Sequence, residues 1–188
     1  MIGVIDLKEI ETKIIDIDVE KLRSKLLQLN FKKVKQEDQI NDIYDFADRK
    51  LLADKGYARV RTIKDHLNNE DHYYMTVKKM VSQEKYKIMD EYEVEVLDPK
   101  ESKNIYISLG LELIQSTKKY RESYKYKDTL VEIDINDIAY CPFPYIEIES
   151  STEEELIEVV HLLGYKMEDT TSKTMNEILN DRKIPKGL

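Results

Sequence analysis

The chain has 188 residues, of which 36% are charged, and its formal net charge is −8. This length suits one domain with a sizeable core, so we expect a single domain over residues 1–188. The acidic balance argues against a nucleic-acid partner, and the absence of a signal peptide or of any run near the roughly 18 apolar residues of a membrane span predicts a cytoplasmic protein without membrane contact.

Apolar residues that alternate with polar ones predict about eight strands, and apolar residues at helical spacing predict four helices. In chain order these are a strand at 7–15, a helix at 18–31, strands at 40–47, 57–64, 72–79 and 89–97, a helix at 98–111, strands at 117–126, 129–135 and 145–150, and helices at 151–165 and 170–181. Asp18, Asp98 before Pro99, and Ser151 or Thr152 are suitable N-caps. The stretch 81–89 is expected to be a mobile loop.

Most of the predicted strands carry charge along one entire face. In the first strand, Glu9, Glu11 and Lys13 share a face, and six further strands show the same pattern of charge on one face. The carboxylates collected in this way are Glu9, Glu11, Glu91, Glu93, Glu95, Glu132, Asp134, Glu147 and Glu149. The cations are Lys13, Arg59, Arg61, Lys78, Lys119 and Arg121.

A charged strand face is usually a solvated face of an antiparallel sheet. Ordinary wet faces, however, include Thr, which is a better strand former than Glu or Lys. Here like charges recur about 7 Å apart along one face and repel each other, unless counter-charges or bound ions lie across a cavity. We therefore predict an α+β fold, a closed eight-stranded antiparallel β-barrel that forms a tunnel with a charged interior, with the helices packed on its outward apolar faces.

Converging cations suit a polyanion, because Arg matches phosphate oxygens with two parallel hydrogen bonds. Clustered carboxylates suit Mg²⁺ or Mn²⁺, which prefer oxygen ligands and often share the phosphates of a substrate. Such a combination is the machinery of phosphoryl chemistry. The chain has no Walker loop and no G-x-G-x-x-G motif, so side chains rather than backbone must bind the phosphates.

The stretch E9-I-E11-T-K13 resembles the E-x-E-x-K signature of CYTH proteins, the triphosphate tunnel metalloenzymes. The resemblance continues in the family's order and covers about residues 5–180, through DIYDF, YARVR, YMTVK, EYEVEV, LGLELIQSTKKYR, VEID and YIEIE. This superfamily includes class IV adenylyl cyclases, thiamine triphosphatases and inorganic triphosphatases. The layout around DIYDF and LGLELIQSTKKYR is similar to the cyclase-type branch.

The resemblance implies a role for each charged residue. Metal would be bound by Glu9, Glu11, Asp134, Glu147 and Glu149. The triphosphate would be held by Lys13, Arg59, Arg61, Lys78, Lys119 and Arg121. Glu11, Lys13 and Glu149 would be catalytic, and the tunnel carboxylates of unclear role would be Glu91, Glu93, Glu95 and Glu132. The chain departs from the family pattern at Lys85 and Lys87, where an Arg is common, and at Thr174-Met175, where Ser-Tyr is common.

The first functional hypothesis is a class IV adenylyl cyclase that converts ATP to cyclic AMP and pyrophosphate. One alternative is a triphosphatase that hydrolyses inorganic tripolyphosphate, thiamine triphosphate or a nucleoside triphosphate. Others are a non-catalytic polyphosphate- or nucleotide-binding module and a barrel without a ligand. The expected partner is a small-molecule triphosphate, and the expected assembly a monomer or homodimer. The single cysteine, Cys141, is expected to be inert.

Overall fold

The computed structural model describes residues 10–184. Within this range the strands are β1 Ile10–Ile15, β2 Lys32–Phe46, β3 Tyr57–Asp65, β4 Glu70–Ser82, β5 Lys87–Glu95, β6 Leu111–Tyr126, β7 Thr129–Asn136 and β8 Tyr145–Ser150. The helices are α1 Val19–Gln28, α2 Lys50–Ala53, α3 Pro99–Ser108, α4 Glu153–Leu162 and α5 Met175–Asp181, with a 3₁₀ turn at Met167–Asp169. No helix in the described range is long and apolar enough to cross a membrane.

The strands close into one antiparallel barrel in the order β1-β5-β4-β3-β2-β6-β7-β8. This architecture confirms the predicted fold class. Within residues 10–184, β1 and β5 pair at two positions, Ile10 with Ile88 and Glu11 with Lys87. Beyond them, the backbone of Lys13 exchanges two hydrogen bonds of 2.9 Å with Thr171. The segment before α5 therefore covers the seam that β5 leaves open along β1.

Helices cover much of the outward apolar surface of the barrel, as the alternation predicts. Leu26 of α1 and Leu156 of α4 are fully buried in one core cluster with Ile146 and Ile148 of β8. Tyr106 of α3 belongs to a second cluster, over β2 and β3. Burying these apolar side chains favours a barrel whose charged faces turn inward.

Strand β5 is an exception to this cover. Its outward side chains Tyr92 and Val94 are 66% and 58% exposed. The expectation that helices cover the outward apolar faces is therefore wrong for β5, because α3 packs against β3, β4 and β6 instead.

The predicted helix starts agree with the observed caps. The carboxylate of Asp18 accepts a hydrogen bond from the amide of Lys21 at 3.0 Å. Asp98 caps α3, which begins at Pro99, and the Thr152 hydroxyl caps α4. Each cap satisfies backbone amides that have no partner inside the helix, so the sequence locates these helix starts well.

Several boundaries differ from the prediction. Strand β2 begins at Lys32 rather than at 40, and β6 begins at Leu111 rather than at 117. Residues 32–39, KKVKQEDQ, are almost all polar and show no apolar alternation; their ladder to β6 makes them a strand. The predicted loop at 81–89 is wrong for most of its length, because β4 runs to Ser82 and β5 starts at Lys87. Helix α2 was not expected, because it is a single short turn.

Candidate functional site

The inward face of the barrel encloses a cavity of about 680 Å³. It is lined by nine of the predicted charged residues: Glu11, Lys13, Arg59, Arg61, Lys78, Lys119, Arg121, Glu147 and Glu149. Asp134 and Glu132 lie on the same inward face and contact these residues from below the cavity surface. Glu9 lies outside the described residues. The alternation rule therefore brings most of the predicted charged residues to one cavity, and their roles as phosphate and metal ligands stay predictions.

One side of the cavity carries an excess of positive charge. Arg61 forms no salt bridge within residues 10–184, and its Nε donates a hydrogen bond to Asn41 Oδ1 at 3.0 Å. Burial, together with the charge of Arg59, lowers the pKa of Arg61 to about 10. Burial and Arg121 also lower the pKa of Lys119, although Lys119 Nζ lies 2.9 Å from Asp134 Oδ2. In the part of the chain that the structure describes, Arg61 therefore has no carboxylate partner, and Lys119 shares its partner, Asp134, with Arg121.

A neighbouring part of the cavity is electrically balanced. Arg121 donates to both oxygens of Asp134 at 2.6 Å and to Glu147 at 2.8 Å, and it also pairs with Glu132. Asp134 has no exposed surface, and Lys119 is its second cationic partner. In this arrangement both oxygens of Asp134 accept hydrogen bonds from cations. Its contacts are those of a structural salt bridge, and its role as a metal ligand stays a prediction.

The opposite imbalance occurs where β7 and β8 meet. Glu132, Glu147 and Glu149 each offer an oxygen, and these oxygens all lie within 4.8 Å of one another. Burial, followed by the charges of Glu132 and Glu147, raises the pKa of Glu149 to about 8. Carboxylates held this close suit a hard divalent cation, whose charge offsets their repulsion. The donor set therefore fits Mg²⁺ or Mn²⁺, and Glu132, whose role the sequence left open, joins it.

The carboxylates of β5 hold cations in place. Glu93 accepts hydrogen bonds from the Thr76 hydroxyl at 2.6 Å and from Arg59 at 3.2 Å. Glu91 lies 2.5 Å from the ammonium of Lys78. Glu95 is exposed and pairs with a ring nitrogen of a surface histidine at 2.8 Å, away from the cavity. Of the three predicted tunnel carboxylates on β5, only Glu91 and Glu93 therefore contact the tunnel cations.

Two polar groups of the cavity, Lys87 and Tyr57, are not among the predicted site residues; the sequence singled out Lys87 only as a departure from the family pattern. Lys87 Nζ lies 2.5 Å from Glu11 Oε1, and Tyr57 lines the cavity opposite Lys78 in the β3–β4 ladder. Burial alone raises the pKa of the Tyr57 phenol, but nearby cations, Arg59 first among them, outweigh it and lower the net value. Tyr57 lies two residues before Arg59, and Lys87 lies two residues before Met89. Extending the period-two alternation to these positions places both side chains on the inward face.

Helix α5 borders the cavity at one end. Thr174 caps this helix, and its backbone and hydroxyl both donate to Glu177, which closes a capping box. Glu177 also accepts hydrogen bonds from Lys55 at 2.9 Å and from Gln83 at 2.6 Å. The departure at Thr174-Met175 therefore does not keep α5 from bordering this end of the tunnel. Cys141 is buried under α5, and burial raises the pKa of its thiol, which agrees with an inert residue.

The fold and cavity define a class of protein: a closed β-tunnel whose interior carries clustered cations and clustered carboxylates side by side. The chain belongs to the CYTH domain family, whose profile matches residues 7–175. CYTH proteins bind triphosphates, their tunnel enzymes use divalent metals, and the family contains adenylyl cyclase-like members and triphosphatases. The family resemblance of the EIETK signature and the strands that follow it is thereby confirmed.

Individual relatives agree with this assignment. The chain is 24% identical over 179 residues to the Methanocaldococcus jannaschii protein named "Putative adenylate cyclase MJ0240", covering 90% of this chain and 97% of the relative. The PH1012 protein of Pyrococcus horikoshii has a similar structure, with a TM-score of 0.73, 26% identity, and coverage of 90% of this chain and 98% of that one. A Hippeastrum protein, named "Putative adenylyl cyclase HpAC1" and described as having a dominant triphosphatase activity, shares the fold, with a TM-score of 0.63, 17% identity, and coverage of 94% of this chain and 89% of that one.

Proposed function

We propose that this protein is a divalent-metal-dependent enzyme that cleaves a phosphorus–oxygen bond in a triphosphate. The observation that carries this proposal is the pair of opposite charge imbalances in one cavity. Among residues 10–184, Arg61 has no carboxylate partner and Lys119 shares Asp134 with Arg121. The Glu149 carboxylate, in contrast, lies among other carboxylates, which together with burial raise its pKa to about 8. A triphosphate that shares a divalent cation with the protein offsets both imbalances at once.

The residues of the tunnel divide this work. Arg61, Arg59 and Lys119 bind phosphate oxygens, and Lys78 extends the same surface. Lys13 lies between Glu11 and Glu147, at 2.6 and 3.2 Å, so its ammonium stands at the border between the phosphate side and the carboxylate side. A divalent cation held by Glu147 and Glu149, with Glu11 across from Glu149, would neutralise charge on the reacting phosphate. Glu9, which lies outside the described residues, stays a predicted ligand of the same ion. Glu132 completes the carboxylate group.

The first candidate reaction is the conversion of ATP to cyclic AMP and pyrophosphate. The cavity is larger than its charged centre, and its lining also includes apolar and amide side chains, beside the charged Arg49, Lys55 and Glu177. These apolar and amide side chains are Ile43, Leu52, Ile114, Met175, Gln115, Asn176 and Asn180. Apolar and amide side chains suit a nucleoside, whose base has apolar faces and polar edges. The name of the M. jannaschii relative supports the same candidate.

Product analysis tests the proposal directly. The purified protein is incubated with ATP, tripolyphosphate or thiamine triphosphate, with Mg²⁺ or Mn²⁺. Cyclic AMP with pyrophosphate supports the cyclase, and orthophosphate supports the triphosphatase alternative. Tight binding of these compounds without turnover of any of them would contradict the enzyme and support a binding module. A matched pair of variants locates the activity: Glu149→Gln loses it, and Glu154→Gln, at an exposed position on α4, retains it.

A further inference from the structure

Two lysines share one oxygen of Glu11. Lys13 Nζ lies 2.6 Å and Lys87 Nζ lies 2.5 Å from Glu11 Oε1. The three side chains are 3%, 13% and 11% exposed, respectively, so little water screens the repulsion between the two ammonium groups. Together these ammonium groups bring to Glu11 the charge that one divalent cation carries. The position therefore suits an exchange of cations.

The two lysines are not held equally firmly. Lys13 also contacts Glu147 at 3.2 Å, and its backbone is fixed by two hydrogen bonds to Thr171. Lys87 is the first residue of β5 and pairs with Glu11 in the β1–β5 ladder; within residues 10–184 its ammonium has one salt bridge, to Glu11, and no second carboxylate. Its ammonium ends a flexible four-carbon side chain that lines the cavity. Lys87 is therefore the lysine that can leave Glu11 at the lower cost.

We propose that Lys87 is an exchangeable counter-ion of Glu11. When a divalent cation binds to Glu11, the ammonium of Lys87 leaves this carboxylate and then binds a phosphate oxygen of the substrate. The inference rests on the proposed function and extends it to a positioning residue that the charged-strand pattern did not include. Glu11 gains the metal, and the released ammonium gains an anionic partner within the same cavity. Metal and polyphosphate consequently favour each other's binding through Lys87, and this coupling is reciprocal.

The test is Lys87→Met, which keeps the length and apolar stem of the side chain and removes its charge. Mn²⁺ alone and tripolyphosphate alone are titrated calorimetrically into the metal-free protein. Without its competitor, Mn²⁺ binds about tenfold more tightly, and tripolyphosphate binds about tenfold more weakly because a charged hydrogen bond is lost. The matched control is Lys79→Met, on the outward, exposed side of β4, which changes neither affinity.

A second variant and a stability measurement make the result decisive. Lys87→Arg keeps the positive charge, so we expect tripolyphosphate affinity close to that of the wild type, and unfolding midpoints show that each variant is folded. Opposite shifts for the two probes support the exchange. Losses of both affinities in folded Lys87→Met, or no change in either, overturn it. If the wild-type protein binds both probes but the shifts are not opposite, the inference alone fails. If it binds neither, the proposed function fails as well.

Discussion

The two sides of the tunnel cavity carry opposite imbalances of charge. On the side of β3 and β6, burial and neighbouring cations lower the pKa of Arg61 to about 10. At the junction of β7 and β8, burial and neighbouring carboxylates raise the pKa of Glu149 to about 8. Both shifts have the same physical origin, because each group is desolvated among charges of its own sign. Neither side is a salt-bridge network that the fold alone completes.

Between these sides lies the pair of Arg121 and Asp134, in which Arg121 donates a hydrogen bond to each oxygen of the Asp134 carboxylate. The pair is buried, and it separates the cation excess from the carboxylate excess. Buried charges that face a partner contribute to structure, whereas buried charges that face their own sign are retained at a cost to stability. The balanced pair therefore holds the barrel together, whereas the charges that face their own sign are free to meet a ligand of the opposite charge.

The largest expected effect comes from breaking the balanced pair. Arg121→Gln leaves Asp134 and Glu132 buried without their main cationic partner, so we expect a loss of about 3–5 kcal/mol in the free energy of unfolding. Denaturant titration measures it. Lys127→Gln, which removes an exposed ion pair to Glu158, is the control and changes the stability little. A stable Arg121→Gln protein would refute the division into structural and ligand-binding charges.

The next effect concerns the carboxylate side. Glu11→Ala removes a carboxylate that we assign to the metal, and we expect turnover to fall by about 100- to 1000-fold, comparable to the loss of one strong transition-state contact. Initial rates at saturating Mg²⁺ or Mn²⁺ measure this change, with exposed Glu154→Ala as the control. A fully active Glu11→Ala variant would show that Glu11 is not a metal ligand.

A smaller effect distinguishes the cation side from the balanced pair. Arg61→Gln removes a buried charge that has like-charged neighbours, so the free energy of unfolding stays the same or rises. Tripolyphosphate binding, in contrast, weakens by about tenfold, or roughly 1.4 kcal/mol, because a charged hydrogen bond is lost. Calorimetric titration and thermal unfolding of the same sample test both statements. A loss of stability without a loss of affinity would place Arg61 with the structural charges.

The smallest effect is a pH dependence. The folded-state pKa of Glu149, about 8, lies above its ordinary value of 4.5. Folding therefore favours the protonated form, and this contribution is complete below pH 4.5 and is lost as the pH rises to about 8. In metal-free buffer we expect the free energy of unfolding to fall by about 1 kcal/mol or more across this window.

Glu149→Gln supplies the control for this pH dependence, because the amide does not titrate. Thermal unfolding in the presence of a chelator, at pH values on both sides of the window, measures the slope. The slope should be flatter in Glu149→Gln than in the wild type. An equal slope in both proteins would assign the pH dependence to other groups.

Much of the fold was accessible from the sequence. Period-two alternation in GYARVR or YIEIES assigns each side chain to a face whatever strand lies beside it, so the inward charges and the closed barrel followed from local pattern. The starts of α1, α3 and α4 followed from their caps. The first half of β2 did not, because its polar residues carry no alternation; pairing with β6 and, from Glu37 on, with β3 makes them a strand.

The sequence predicted which residues line the cavity better than it predicted which of them pair with each other. Lys13, Arg59, Arg61 and Glu149 line the cavity as predicted. The sequence did not separate Asp134, whose oxygens both accept from cations, from Glu132, whose oxygen joins the carboxylate cluster. The two have the same parity on one strand.

The sequence by itself determined that charge of both signs faces the interior of a barrel, because alternation along a strand is a local property of the backbone. Only the tertiary structure decided which charges neutralise each other. Register sets Arg121 opposite Asp134 and Glu11 opposite both Glu149 and Lys87. Partners on neighbouring strands are far apart along the chain, and a long charged side chain can reach more than one of them. The imbalance that remains after these pairings is a property of the closed barrel, and it is what a triphosphate and its metal would offset.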